Sequence, residues 1–161
     1  MLEIDQNMQE NDSSNFESID QNNSKRIFEL MANNQIVTSI DKYNVALILQ
    51  RTNAMFCDGI LKNISPENFL LAYSLSNSAY NEGLEDAAYM VALNQDRYLL
   101  FTLRYQKYGT QKIYDDKSDS FMWAPIDSTT TDIERAKHGV PNLQVLLAQT
   151  PMKTFESNQN D

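Results

Sequence analysis

Four glycines in 161 residues, at positions 59, 83, 109 and 139, are the tightest constraint on this chain. At average usage, about 7%, a chain this long carries roughly eleven. Glycine reaches positive φ at no steric cost, and folds rich in hairpins and bulges spend it freely. Here each glycine falls where the hydrophobic spacing ends an element. That economy predicts a mainly helical chain that keeps its glycines for element ends.

The apolar spacing fills in the helices. A first helix is expected from Ser24 to Met31, ending at Asn33-Asn34, and a second from about Asp41 to Asp58, capped by Ser39 or Asp41 and closed by Gly59. Ser65-Pro66-Glu67 supplies a cap hydroxyl, a proline at the first helical position and an acid in the first turn of a third helix, which breaks at Gly83. A fourth begins near Leu84 and meets no Gly or Pro before Gly109. Alanines at 72, 79, 87, 88 and 92 let these two helices approach closely as an antiparallel pair. The pattern then changes. Gln111–Tyr114 and Phe121–Pro125 are β-prone runs around the polar stretch 115–119, which predicts a small hairpin with Trp123 packed back on the helices. Thr131 or Asp127 caps a short helix closed by His138-Gly139, and Pro141 opens a last helix that Pro151 stops.

Charge separates the ends from the middle. Residues 1–24 hold six acids and no Lys or Arg, so the head carries −6 of the net −9 and the last ten residues −1, leaving −2 for residues 25–151. A head this polar cannot bury enough surface to offset its ordering entropy. Residues 1–24 are therefore expected to be a disordered acidic tail, 25–151 a single helical domain, and 152–161 a frayed end. The acidic balance argues against nucleic acid and anionic membrane as partners, both of which call for a basic face. No apolar run approaches a membrane span, and the acidic start Met-Leu-Glu-Ile-Asp is unlike a secretory signal, so a cytoplasmic location is expected.

No phosphate-binding loop, dinucleotide fingerprint, nucleophile elbow or zinc-protease motif occurs. Cys57 and His138 are each the only residue of their kind, which leaves no expectation of a metal site or cofactor. Cys57 reads as packing in an apolar seam. His138 reads as a partly positive imidazole suited to a helix C-terminus. The acids at 115–119 lack the glycine and distal glutamate of a calcium loop and read as a solvated turn.

One polar cluster stands out. Asp96 and Arg97 lie inside an otherwise apolar helix, ahead of Tyr105-Gln106-Lys107-Tyr108-Gly109-Thr110-Gln111. A charge in such a helix faces solvent, pairs with a partner or lines a pocket. The loop's hydroxyls, amides and open backbone N–H groups can hold a ligand, or can lock a helix end onto the hairpin. The candidate cluster is Arg51, Asp96, Arg97, Gln106, Tyr108, Thr110 and Gln111, as a binding site or a structural lock.

Asp96-Arg97-Tyr98-Leu99 followed by Gln106-Lys107-Tyr108-Gly109-Thr110-Gln111 resembles the signature of an uncharacterised bacterial domain family, D-R-(F/Y)-L then Q-x-(F/Y)-G-T-Q. Ala46–Arg51, Asn68–Tyr73 and Arg135-x-x-x-Gly139-Val140-Pro141-x-Leu143 are similar to other parts of it, so the resemblance spans roughly 41–147. It implies a domain and no particular reaction. Where the family commonly carries histidines, this chain has Arg51 and Tyr73. Arg51 cannot act as a base near pH 7 but can bind a carboxylate or phosphate, or pair with Asp96. The helix pair also resembles a tetratricopeptide unit, with one pair and no repeat array.

The expected fold is thus mainly α, one compact helical domain with a tetratricopeptide-like pair and a small β-hairpin near the C-terminal third. The expected function is an interaction or binding module of a bacterial cytosolic type, taking a protein partner or a small anionic ligand. The alternative is a small enzyme or small-molecule binder whose polar site is built from Arg51, Asp96, Arg97 and the Tyr-Gly-Thr-Gln loop.

Overall fold

The computed structural model describes residues 25–52, 54–57, 60–63 and 65–153, with side chains described for 25–52 and 65–153. The acidic head expected over 1–24 and the last eight residues lie outside the described residues. The chain is mainly helical. Helix α1 covers 25–32, α2 Ser39–Leu49, α3 Glu67–Asn81, α4 Ala88–Leu103, α5 Asp132–Lys137 and α6 Leu143–Gln149. Two antiparallel hairpins interrupt them, β1 (Ala54–Cys57) with β2 (Ile60–Asn63), and β3 (Lys112–Asp115) with β4 (Ser120–Trp123). No helix among the described residues is long and apolar enough to cross a membrane.

Local signals set most of these boundaries. Helix α1 ends where Asn34 takes φ 53° and the N–H groups of Asn34 and Gln35 reach back to the carbonyls of Met31 and Leu30. Helix α3 ends the same way, with Gly83 at φ 97° and N–H groups of Gly83 and Leu84 on the carbonyls of Tyr80 and Ala79. Both are the paired-bond helix stop that needs a left-handed residue, which Asn tolerates and Gly adopts freely. Thr38 caps α2 reciprocally with Asp41, Thr131 caps α5, and Asn142, rather than Pro141, caps α6.

The second helix is the main correction. It was expected to run to Asp58, but it stops at Leu49, where Thr52 Oγ1 and the N–H groups of Arg51 and Thr52 fold back on the Ile48 carbonyl. Residues 54–57 then pair with 60–63 in a hairpin that the sequence reading missed. Met55 and Phe56 fit helical spacing only because a short apolar run fits either period. An Asp-Gly pair between two such runs is also a hairpin signal in the sequence, and the helix stop expected at Gly59 lies outside the described residues.

Two clusters of buried side chains share α4 as a common wall. Ile27, Val45, Ala46, Leu49, Ala72 and Met90 fill the space between the helices of the N-terminal half. Ala92, Tyr108, Trp123, Ile126, Val140 and Leu146 fill the other side, under the second hairpin. Helices α3 and α4 pack as a hairpin, and Ala72, Ala79, Ala87 and Ala92 are fully buried, as the alanine pattern implied. Trp123 closes the second cluster, with its indole N–H on the Leu146 carbonyl at 2.8 Å. Backbone bonds from Trp123 N–H to Pro151 and from Lys153 N–H to Trp123 carry this pairing two residues past the boundary expected at 151.

Candidate functional site: a loop closed on its own carboxylate

Helix α4 ends at Arg104, a non-glycine residue at φ 64°, and the chain reverses into residues 105–111. Asp96, two turns before that end, has no exposed surface. Its Oδ1 accepts from the N–H groups of Lys107 (2.7 Å) and Tyr108 (2.8 Å). Its Oδ2 accepts from the N–H groups of Gly109 and Thr110 and from Thr110 Oγ1, all at 2.9 Å. Successive N–H groups converging this way form an anion-binding nest, and the anion in it is the protein's own. Burial pushes the Asp96 carboxyl above its usual range, and the donors from Tyr108, Thr110 and Gly109 pull against that shift.

Gly109 makes the nest possible. It sits at φ 103°, and a Cβ there would come within 2.6 Å of Leu146 Cδ1 and 3.1 Å of Ile126 Cδ1. Gly109→Val combines backbone strain with overpacking, and a loss of about 3–5 kcal/mol is expected in urea denaturation. Trimming the neighbour with Leu146→Ala in the same chain relieves the contact but not the strained φ, so that double variant stays below the native stability.

Gln106 ties the two ends of the loop together. It is fully buried, with Nε2 on the carbonyls of Gln111 (2.8 Å) and Ala124 (2.9 Å), and Oε1 accepting from the Gln111 N–H at 2.7 Å. Its own backbone pairs with Pro125 and Asp127. Gln111 Nε2 donates to Thr110 Oγ1 at 2.9 Å, and Gln111 Oε1 accepts from Arg97 Nε at 3.3 Å. The Tyr108 side chain is buried against the edge of the His138 ring, centroids 5.1 Å apart, and burial pushes its phenol up.

The candidate residues thus meet, apart from Arg51. It lies just beyond α2 rather than within a longer helix, is exposed, and makes no ion pair with Asp96. Asp96 and Arg97 are sequence neighbours, but a step of 100° around the helix sends them to different partners. Arg97 Nη1 reaches the Gln50 carbonyl (3.4 Å) and Gln50 Oε1 (3.2 Å), and its guanidinium lies 5.6 Å from the Phe69 ring centroid.

Sequence reasoning missed Arg135 as part of this cluster. Only 1% exposed, it donates from Nε to the Tyr108 carbonyl (3.0 Å), from Nη2 to the Asp127 carbonyl (2.9 Å) and from Nη1 to the Thr130 carbonyl (2.5 Å), with Asp132 at 3.4 Å. Its place in the Arg135…Gly139 segment of the resemblance was the available signal. Asn94, fully buried on α4, has no hydrogen-bond partner for either end of its amide.

His138 departs from its expected role. Its Nδ1 donates to the Ala88 carbonyl at 3.1 Å, and its ring packs between Tyr80 and Tyr108. Burial pushes its pKa below the ordinary 6.5, and this outweighs the carbonyl hydrogen bond that pulls it up. The imidazole is held neutral rather than as a cation at a helix end. The unfolded chain then binds a proton first as pH falls, so stability is complete above about 6.5 and declines below it. Relative to His138→Gln, which removes the only histidine, the native chain should lose melting temperature between pH 7 and 5.

The acids at 115–119 divide as well. Residues 116–119 are an exposed turn, but Asp115 is buried. Lys153 Nζ at 2.8 Å and the Ser118 hydroxyl and N–H hold its carboxyl down to about 2. Among the described residues, no three His, Cys, Asp or Glu side chains group as metal ligands. No family model matches this chain, and no curated protein or solved structure matches it.

Proposed function

We propose that this chain is a non-catalytic interaction or binding module, in which the Asp-Arg and Tyr-Gly-Thr-Gln segments act as a lock between α4 and the C-terminal hairpin. The saturation of Asp96 supports this reading. A general base or nucleophile needs a lone pair within reach of a substrate. Both Asp96 oxygens are already taken by five donors from the loop that covers them. The Gln106 side chain is likewise spent on the Gln111 and Ala124 backbone, and that of Gln111 on Thr110 Oγ1 and Arg97. The partner is a protein or a small anionic ligand, in the bacterial setting that the signature's resemblance implies and the cytoplasmic one that the acidic start suggests.

The test is a panel of chromogenic phosphate esters, carboxylate esters, anilides and glycosides, offered to the full chain and to Asp96→Asn. No turnover above buffer is expected from either. Turnover by the native chain that Asp96→Asn abolishes at a temperature where that variant is still folded would overturn the proposal.

A further inference from the structure

The geometry points to an oxyanion-binding site at Arg97 and Arg51, for a ligand of the phosphate class. The inference rests on the binding-module reading and names the ligand chemistry for it. Arg97 is a largely buried cation whose partners are all neutral: the Gln111 amide, the Gln50 amide, the Gln50 carbonyl and the Phe69 ring. Among the described residues it has no carboxylate partner, since Asp96 is committed to the loop. Desolvation pushes its guanidinium down from the usual value, and arginine still stays charged at neutral pH. A buried charge without a counter-ion is costly, and an incoming anion recovers that cost.

Two features make the place suited to an anion. Among the described residues Arg97 Nη2 has no partner and is not among the atoms sealed from solvent, so one edge of the fork stays open while Nε and Nη1 hold it in position. A second cation belongs to the residue that follows one of its partners. The Gln50 carbonyl that receives Arg97 Nη1 belongs to the Gln50–Arg51 peptide, and Arg51 is near enough to raise the electrostatic cost of the Arg97 charge. Arg51 is exposed and, among the described residues, makes no ion pair. Two guanidinium groups, one fixed and one free to close, match the charge and the several oxygens of a phosphate better than a single carboxylate.

The experiment is an NMR titration of the full chain with inorganic phosphate, with chloride at matched ionic strength as control. Saturable shifts are expected at the Arg97 Nε–H and at the Gln50, Arg51 and Gln111 amides. Arg51→Gln should weaken binding about 10- to 100-fold, the worth of one charge-assisted contact, at an unchanged melting temperature, because that side chain is exposed. Lys25→Gln, on α1, should bind as the native chain does. Shifts that do not saturate, or an affinity untouched by Arg51→Gln, would overturn the site while leaving the non-catalytic reading in place. Phosphate binding together with Arg51-dependent hydrolysis of p-nitrophenyl phosphate would do the reverse, supporting the site and sinking the non-catalytic reading.

Discussion

Replacing Asp96 by alanine should lower the stability of the chain by about 3–5 kcal/mol, with a melting temperature roughly 10–20 °C lower. The size follows from what the carboxylate satisfies. Lys107, Tyr108, Gly109 and Thr110 present four successive N–H groups to it, and among the described residues none of the four donates to another acceptor. An unsatisfied buried donor costs about 1–3 kcal/mol, and relaxation of the loop toward water limits the sum. Asparagine is no remedy. Its NH₂ would face two N–H donors at the Oδ1 position, or two N–H groups and a hydroxyl at Oδ2, so Asp96→Asn should lose more than half as much as alanine. Hydrogen exchange gives the diagnostic readout. In Asp96→Ala the amides of 107–110 should exchange as fast as in a peptide, while those of α2 and α3 stay protected. Uniform loss of protection across both halves would show instead that the carboxylate supports the whole fold rather than this loop.

How much of this was legible in the sequence depends on whether the signal was local. Asn33-Asn34, Thr131 and the 115–119 turn each act within a few residues, and their elements end where the sequence indicates. Asp96 was visible because a carboxylate between Leu93 and Leu99 must have a reason to be there. The loop that provides the reason follows within fourteen residues. The hairpin of 54–63 was lost because Met55 and Phe56 extend the apolar spacing of α2, and four-residue runs do not separate period 3.6 from period 2. Arg51 could not be placed, because its distance from Asp96 depends on how α2 ends and packs. His138 was misjudged for the same reason: a helix end suggests a cation, but its ring is covered by Tyr80 and Tyr108 from other segments. Arg135 was marked only by its place in the resemblance, because its partners lie in other segments and only the packed fold turns it toward them.

That inward turn carries the second large effect. Arg135→Met keeps much of the side-chain volume but removes the donors that satisfy the carbonyls of Tyr108, Asp127 and Thr130. Two buried carbonyls and the part-buried one of Asp127 lose their partner at once, and Asp132 loses its cation, so a loss of about 3–5 kcal/mol is expected in chemical denaturation. Arg135→Lys should recover little, because one ammonium cannot span three carbonyls served by a planar fork. Asp96 and Arg135 grip the same residue from opposite sides, one at the Tyr108 N–H and the other at its carbonyl. Once either is gone the loop is already loose, and removing the other leaves less to lose. The double variant Asp96→Ala/Arg135→Met should therefore fall short of the sum of the singles by about 1–2 kcal/mol, as coupled sites do. Strict additivity would mean that the two residues stabilise separate structures, and the single lock described for residues 105–111 would then be wrong.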